Sequence, residues 1–243
     1  MNIEKQNQWQ KLKEHTNARV ALGSVGIGMP LSEVLALKLA HAQAKDAIET
    51  TLDSELLKKQ TEALGVPFYS FKSKVKDRKE YLKRPDLGRC LDADQIHQGK
   101  NQFDILFVLT DGLSAEAVNQ NAFDVLKLAI PKLINTYSIA IAVVEQGRVA
   151  IGDELSELFH SKFTALFIGE RPGLSSPVSM GIYTTYEARA GFTDEKRNCI
   201  SNIHQNGFST EEASILLNYL ILNSFELKIS GVNLKIDLKK LLP

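Results

Sequence analysis

A chain of 243 residues, 44% hydrophobic and 24% charged, fits one large or two modest globular domains with a substantial core. Lys plus Arg and Asp plus Glu each total 29, so the net charge is zero and the basic excess of a nucleic-acid binder is missing. Two cysteines, Cys90 and Cys199, are too few for a disulfide scaffold, and no apolar run approaches the roughly 20 residues needed to cross a bilayer. The polar, mixed-charge start has no signal-peptide core, so a reduced cytoplasmic setting is expected.

In chain order, Gly23-Ser24-Val25-Gly26-Ile27-Gly28 is glycine-rich but lacks the spacing and the strand–helix context of a dinucleotide site, and reads as a turn. Pro30-Leu31-Ser32-Glu33 opens a helix expected over residues 31–49. A second helix is expected near residues 53–63, ending before Gly65 and Pro67. The run Lys72, Lys74, Lys76, Arg78, Lys79 reads as a solvated face, with docking onto an acidic surface as the sharper alternative. Residues 81–89 read as irregular, because Pro85 pushes Arg84 toward an extended conformation. Gly99-Lys100-Asn101-Gln102 is the expected boundary.

From residue 103 strands and helices alternate. Asp104–Thr110 is a buried-strand run, followed by the turn Asp111-Gly112-Leu113-Ser114, where Ser114 can cap a helix. That helix carries Val118, Ala122, Val125, Leu126, Ala129 and Leu133 at helical spacing, with Pro131 expected to break it. Ser138–Val144 and Phe163–Ile168 are further strands, Asp153–His160 a short helix between them, and Gly181–Tyr186 another strand. Ser209-Thr210-Glu211-Glu212 is a capping box opening a helix to about Leu227, with Ala213, Leu216, Leu217 and Leu220 inward. The pattern predicts an α/β fold. A Rossmann-like, mostly parallel sheet forms a C-terminal domain (101–243) behind a smaller, mainly helical N-terminal domain (1–100). Loops leaving the carboxyl ends of such strands line one crevice, which would gather Asp111-Gly112, Gly147-Arg148-Val149 and Gly169-Glu170-Arg171.

Glu170-Arg171 stands on a stiff Gly/Pro loop, Gly169 to Pro177, after a nearly continuous apolar run. Charges there need partners, either each other in an internal ion pair or a ligand. Cys199, five residues before His204, invites a nucleophilic dyad, but a small soft side chain packed against a wall or ligand is the simpler reading. His15, His41, His97, His160 and His204 have no metal-ligand spacing.

Five segments carry a resemblance: Arg84-Pro85-Asp86-Leu87-Gly88-Arg89, Asp111-Gly112-Leu113-Ser114, Gly147-Arg148-Val149-Ala150-Ile151, Gly169-Glu170-Arg171-Pro172-Gly173-Leu174 and Asn198-Cys199-Ile200-Ser201-Asn202-Ile203. In this order and spacing, from about Ala18 to Leu234, the chain resembles the light (small) chain of ethanolamine ammonia-lyase. The resemblance implies a hetero-oligomer with a large (heavy) chain. That enzyme converts ethanolamine to acetaldehyde and ammonia through the radical chemistry of adenosylcobalamin. It places substrate contacts mainly on the large chain and implies that the light chain completes the cobalamin site from the side of the lower axial base. Val149, Glu170 and Cys199 match the family's cobalamin contacts, and no residue here is implied to be catalytic or to ligate a metal. Arg171 is then expected to help keep Glu170 ionised. The axial-histidine motif Asp-x-His-x-x-Gly is missing and Asp94-Gln95-Ile96-His97 has the wrong spacing, so a base-on cofactor is implied. A non-catalytic cobalamin-binding or assembly module is the alternative function. About 18 residues precede the matched region, where some members carry a longer extension. The expected location is therefore the cytoplasm, with a bacterial microcompartment as the alternative.

Overall fold

A computed structural model describes residues 10–16, 18–94 and 101–236. Helix α1 (Leu31–Glu49) runs over the residues its pattern predicts, and α2 (Ser54–Glu62) starts where the Asp53 side chain accepts from Leu56 N. Both stand before strand β1 (Phe68–Lys72). Helix α3 (Arg78–Lys83) follows, capped by Asp77, whose carboxylate accepts from Glu80 N. Part of the stretch read as irregular is thus helical, because Pro85 acts only beyond its end.

Strand β2 (Ile105–Thr110), helix α4 (Ala115–Ala129), strand β3 (Ile139–Glu145), helix α5 (Ile151–Leu158) and strand β4 (Phe163–Gly169) form the expected alternation. Pro131 does end α4, within a short 3-10 turn over Ile130–Lys132. Ser114 precedes α4 but makes no side-chain cap; its hydroxyl donates to Pro177 O (3.3 Å), tying this turn to the Gly/Pro loop. Two strands and a helix complete the chain: β5 (Met180–Tyr186), β6 (Asn198–Ile203) and α6 (Thr210–Leu227). The capping box at Ser209 and Glu212 is formed, and Ala213, Leu216, Leu217 and Leu220 are buried as expected.

The six strands lie in the order β1-β3-β2-β4-β5-β6. Pairings β1–β3, β3–β2 and β2–β4 are parallel, whereas β4–β5 and β5–β6 are antiparallel. The expected Rossmann-like, mostly parallel sheet is therefore corrected to a mixed one. A parallel return needs a crossover of about a dozen residues, usually a helix. The segment between β4 and β5 is a short loop holding Pro172 and Pro177, so the chain turns straight back. Within the part expected to be mainly helical, α1, α2 and α3 are accompanied by β1, which pairs with β3 and so joins the sheet. The boundary expected around Gly99 and Lys100 falls outside the described residues, as does His97.

Each face of the sheet buries its own core. On one, Ile105, Phe107 and Leu109 of β2 pack with residues of α2, α4 and α6. On the other, Leu106 and Val108 of β2 pack with Ile151, Leu155 and Phe159 at α5. Helix α5 meets the sheet's far edge at Asp153, which pairs with Arg197 just before β6, and leaves the stretch of Tyr183 and Cys199 open. There Tyr183 is only half-buried and Cys199 exposed.

Candidate functional site

The parallel strands end together at Lys72, Thr110, Glu145 and Gly169. Beyond β2 the chain enters α4 on one face, and beyond β3 it enters α5 on the other, the arrangement that opens a crevice in such sheets. Side chains of α3 fill it. Arg78 donates from Nη1 to Gly112 O (2.8 Å) and Asp111 Oδ2 (3.4 Å), and from Nε to Ile48 O (2.9 Å). The other Asp111 oxygen accepts from Gln146 N (2.7 Å). Burial raises the Asp111 carboxyl to about 6, with Arg78 and the Gln146 N–H opposing the rise. The Lys/Arg run expected to be a solvated face is thus divided, for Arg78 is a structural clamp.

Tyr81 is wholly buried, and its hydroxyl donates to Gly147 O (3.1 Å). Its ring lies between the guanidinium groups of Arg78 (4.7 Å) and Arg148 (4.0 Å). Arg148 donates from Nη2 to Tyr81 O (2.9 Å) and from its main-chain N to Gly88 O (2.7 Å). These bonds join the Arg84–Arg89 and Gly147–Ile151 segments and set the backbone that presents Val149.

Glu170 leaves the end of β4 and occupies a notch over β5. Its carboxylate accepts from Ser179 Oγ (2.5 Å) and from Asn202 N (3.3 and 3.4 Å), while its own N donates to Ser179 O (2.8 Å). Gly181 makes the notch possible, because a Cβ there would stand 3.0 Å from Glu170 Oε1. The donor comes from an irregularity in β6. Met180 pairs with Ile203 but Ile182 with Ile200, so β6 carries one extra residue, and Asn202 takes φ +64°. A bulge with Asn in the left-handed region re-aims a backbone N–H, here toward Glu170.

Cys199 lies opposite Tyr183 in the β5–β6 pair. The two residues face each other across the pair, close enough for each side chain to shift the proton equilibrium of the other. Desolvation raises the Cys199 thiol, the facing Tyr183 hydroxyl pulls it down, and the Glu170 charge adds to the rise. Burial first, then the Cys199 and Glu170 charges, push the Tyr183 phenol up to about 12. Residues 181, 183 and 199 share the sheet face that α5 leaves uncovered, and Glu170 lies over that face. A cavity of about 140 Å³ there is lined by Tyr81, Val149, Glu170 and Tyr183 among others. A larger one of about 650 Å³ adjoins it, sharing Val149, Arg148 and Tyr183 and extending to Cys90, Glu154 and Arg197.

The three residues singled out in the sequence therefore meet around Tyr183, which sequence reasoning missed. The signal was the alternation of Tyr183 with the buried Ile182 and Thr184. The expected support of Glu170 by Arg171 fails, and the dyad, the less simple reading of Cys199, is not formed. No ion pair joins Arg171 to Glu170, whose partners are Ser179 and Asn202. Nor do Cys199 and His204 form a dyad: His204 meets Asn202 Oδ1 (2.9 Å) through Nε2 and accepts from Asn206 N (3.2 Å) at Nδ1. A raised thiol pKa also disfavours the thiolate a nucleophile requires.

The profile of the family described as "Ethanolamine ammonia-lyase light chain (EutC)" matches residues 6–235. Among curated relatives, a Ralstonia nicotianae protein named "Ethanolamine ammonia-lyase small subunit" is 43% identical over 239 residues, covering 95% of this chain and 88% of its own length. Proteins of the same name from Azotobacter vinelandii (42% identical over 241 residues, covering 95% and 88%) and Rhodopseudomonas palustris (41% over 232, covering 93% and 89%) agree with it. The chain thus belongs to the ethanolamine ammonia-lyase light-chain family.

Proposed function

We propose that this chain is the light subunit of an adenosylcobalamin-dependent ethanolamine ammonia-lyase and that it completes the cofactor site at its interface with the heavy chain. The observation that carries the reading is the notch in which Glu170 stands over Gly181, beside Tyr183 and Cys199. A corrin is a broad apolar disc rimmed by carboxamides. Val149, the Tyr183 ring and the Cys199 sulfur offer apolar and polarizable surface, and the Glu170 carboxylate offers a charged acceptor for an amide N–H. The donor set fits the group. It contains no imidazole, and both nitrogens of the nearby His204 are engaged within its own turn, in keeping with a base-on cofactor.

In this reading the chain's own residues bind and orient. Ser179 and Asn202 fix the Glu170 carboxylate from beneath, and Tyr81 and Arg148 fix the backbone of Val149. When bound, adenosylcobalamin supplies the radical chemistry that removes hydrogen from ethanolamine. The cytoplasm is the proposed location; among the described residues no helix is long and apolar enough to cross a membrane.

Reconstitution tests the proposal. The chain alone should release no ammonia from ethanolamine with adenosylcobalamin, and addition of the heavy chain should produce both ammonia and acetaldehyde. A folded two-chain complex that binds cobalamin without turning over ethanolamine would instead favour a binding or assembly module.

A further inference from the structure

We propose that Tyr183 is a further cofactor-binding residue, joining the surface of Val149 and Glu170 to that of Cys199. This rests on the cobalamin reading above and deepens it. Tyr183 lines both the 140 Å³ and the 650 Å³ cavities, a position it shares with Val149 and Arg148. It stands two residues along β5 from Gly181, so its ring follows the Glu170 notch on the same uncovered face. Directly across β6 lies Cys199.

The phenol has one hydrogen to donate and lone pairs with which to accept. Toward a carboxamide the oxygen can accept the N–H and the hydrogen can go to the C=O. The ring presents a rigid apolar surface to a macrocycle at little conformational cost, for only two torsions need be fixed. One side chain thus provides apolar contact and a second amide partner beside Glu170.

The probe is cyanocobalamin, which lacks a reactive upper ligand, with the two-chain complex carrying wild-type chain, Tyr183→Phe, Tyr183→Ala or the control Tyr219→Phe of α6. Tyr183→Phe keeps the ring and should weaken binding by about five- to tenfold, the effect of losing one hydrogen bond. Tyr183→Ala loses the ring as well and should weaken it by roughly a further tenfold. Cys199 gives an independent readout. Its alkylation, located by peptide mass spectrometry, should slow at fixed pH in Tyr183→Phe, since the hydroxyl that lowers the thiol pKa is gone. Cyanocobalamin should protect the same thiol in the wild type. Wild-type binding that neither variant alters would overturn the role of Tyr183 and leave the functional reading intact. A wild-type pair that does not bind cyanocobalamin would overturn both.

Discussion

Asp111 and Glu170 follow the ends of neighbouring strands, yet the fold uses them in opposite ways. Asp111 is buried and spends its oxygens on Gln146 N and Arg78, so it is a structural carboxylate. Its pKa of about 6 lies above the ordinary value because burial outweighs those partners. An acid raised in the folded state binds more protons there than when unfolded between about pH 4 and 6. Its contribution to stability therefore falls as pH rises through that window and levels off above it. Asp111→Asn cannot titrate, so the stability of Asp111→Asn relative to wild type should grow by about 2 kcal/mol from pH 4.5 to 7. Urea unfolding at several pH values reads this directly, and a flat difference would mean that Arg78 keeps Asp111 ionised throughout. Glu170 instead has its carboxylate supported by Ser179 and Asn202 and turned to a cavity. In the sequence the stiff loop draws attention to Glu170, but Arg171, the neighbour expected beside it, is not its partner. Arg171 follows it in the chain, whereas its partners come from β5's approach and from β6.

At the level of elements, α5 is fastened to the start of β6 by a single buried pair. Arg197 donates from both terminal nitrogens to both oxygens of Asp153 (2.7 and 2.8 Å), and each side chain is 3% exposed. Arg197 also donates to Phe192 O (2.9 Å), which closes the loop between β5 and β6. Removing one partner strands a buried charge, so Arg197→Ala or Asp153→Ala should each cost about 3–5 kcal/mol. The pair Asp153→Leu with Arg197→Met should cost less than either alone, in denaturant unfolding of all three variants. Equal and additive losses would show that the ion pair is not a unit. Local pattern made α1, β2, β3, β4 and α6 legible, since each carries an apolar period or a cap within its own residues. Strand β6 was not legible in that way. Its buried positions Asn198, Ile200 and Ile203 are out of period by the bulge at Asn202, and Asn198 is held by Gly231 and Leu234, 33 and 36 residues away.

For the whole molecule, the switch from parallel to antiparallel pairing after β4 opens the strip that the proposed site occupies. Parallel pairing through β4 brings helices to both faces, whereas β5 and β6 return by loops and bring none to the α5 side. The exposed strip left there is where Tyr183 and Cys199 lie, and the β4–β5 loop delivers Glu170 onto it. This was beyond the sequence because strand direction depends on how connections pack, not on any residue within β5. A ligand that covers the strip must stabilise the folded complex by mass action. At a concentration of about 100 times its dissociation constant the gain is about 2.7 kcal/mol. A hydrogen bond to a charged acceptor contributes about 1.5–3 kcal/mol, so Glu170→Ala should weaken cyanocobalamin binding at least about tenfold. The same ligand concentration would then stabilise the mutant complex by about 1.4 kcal/mol or less. Thermal unfolding of the two-chain complex with and without cyanocobalamin measures this as a smaller rise in Tm, while the ligand-free complexes melt together. A ligand-free Glu170→Ala complex that melts much earlier, with its cofactor-induced rise intact, would make the carboxylate a brace between β4 and β6 and leave cofactor binding to the rest of the strip.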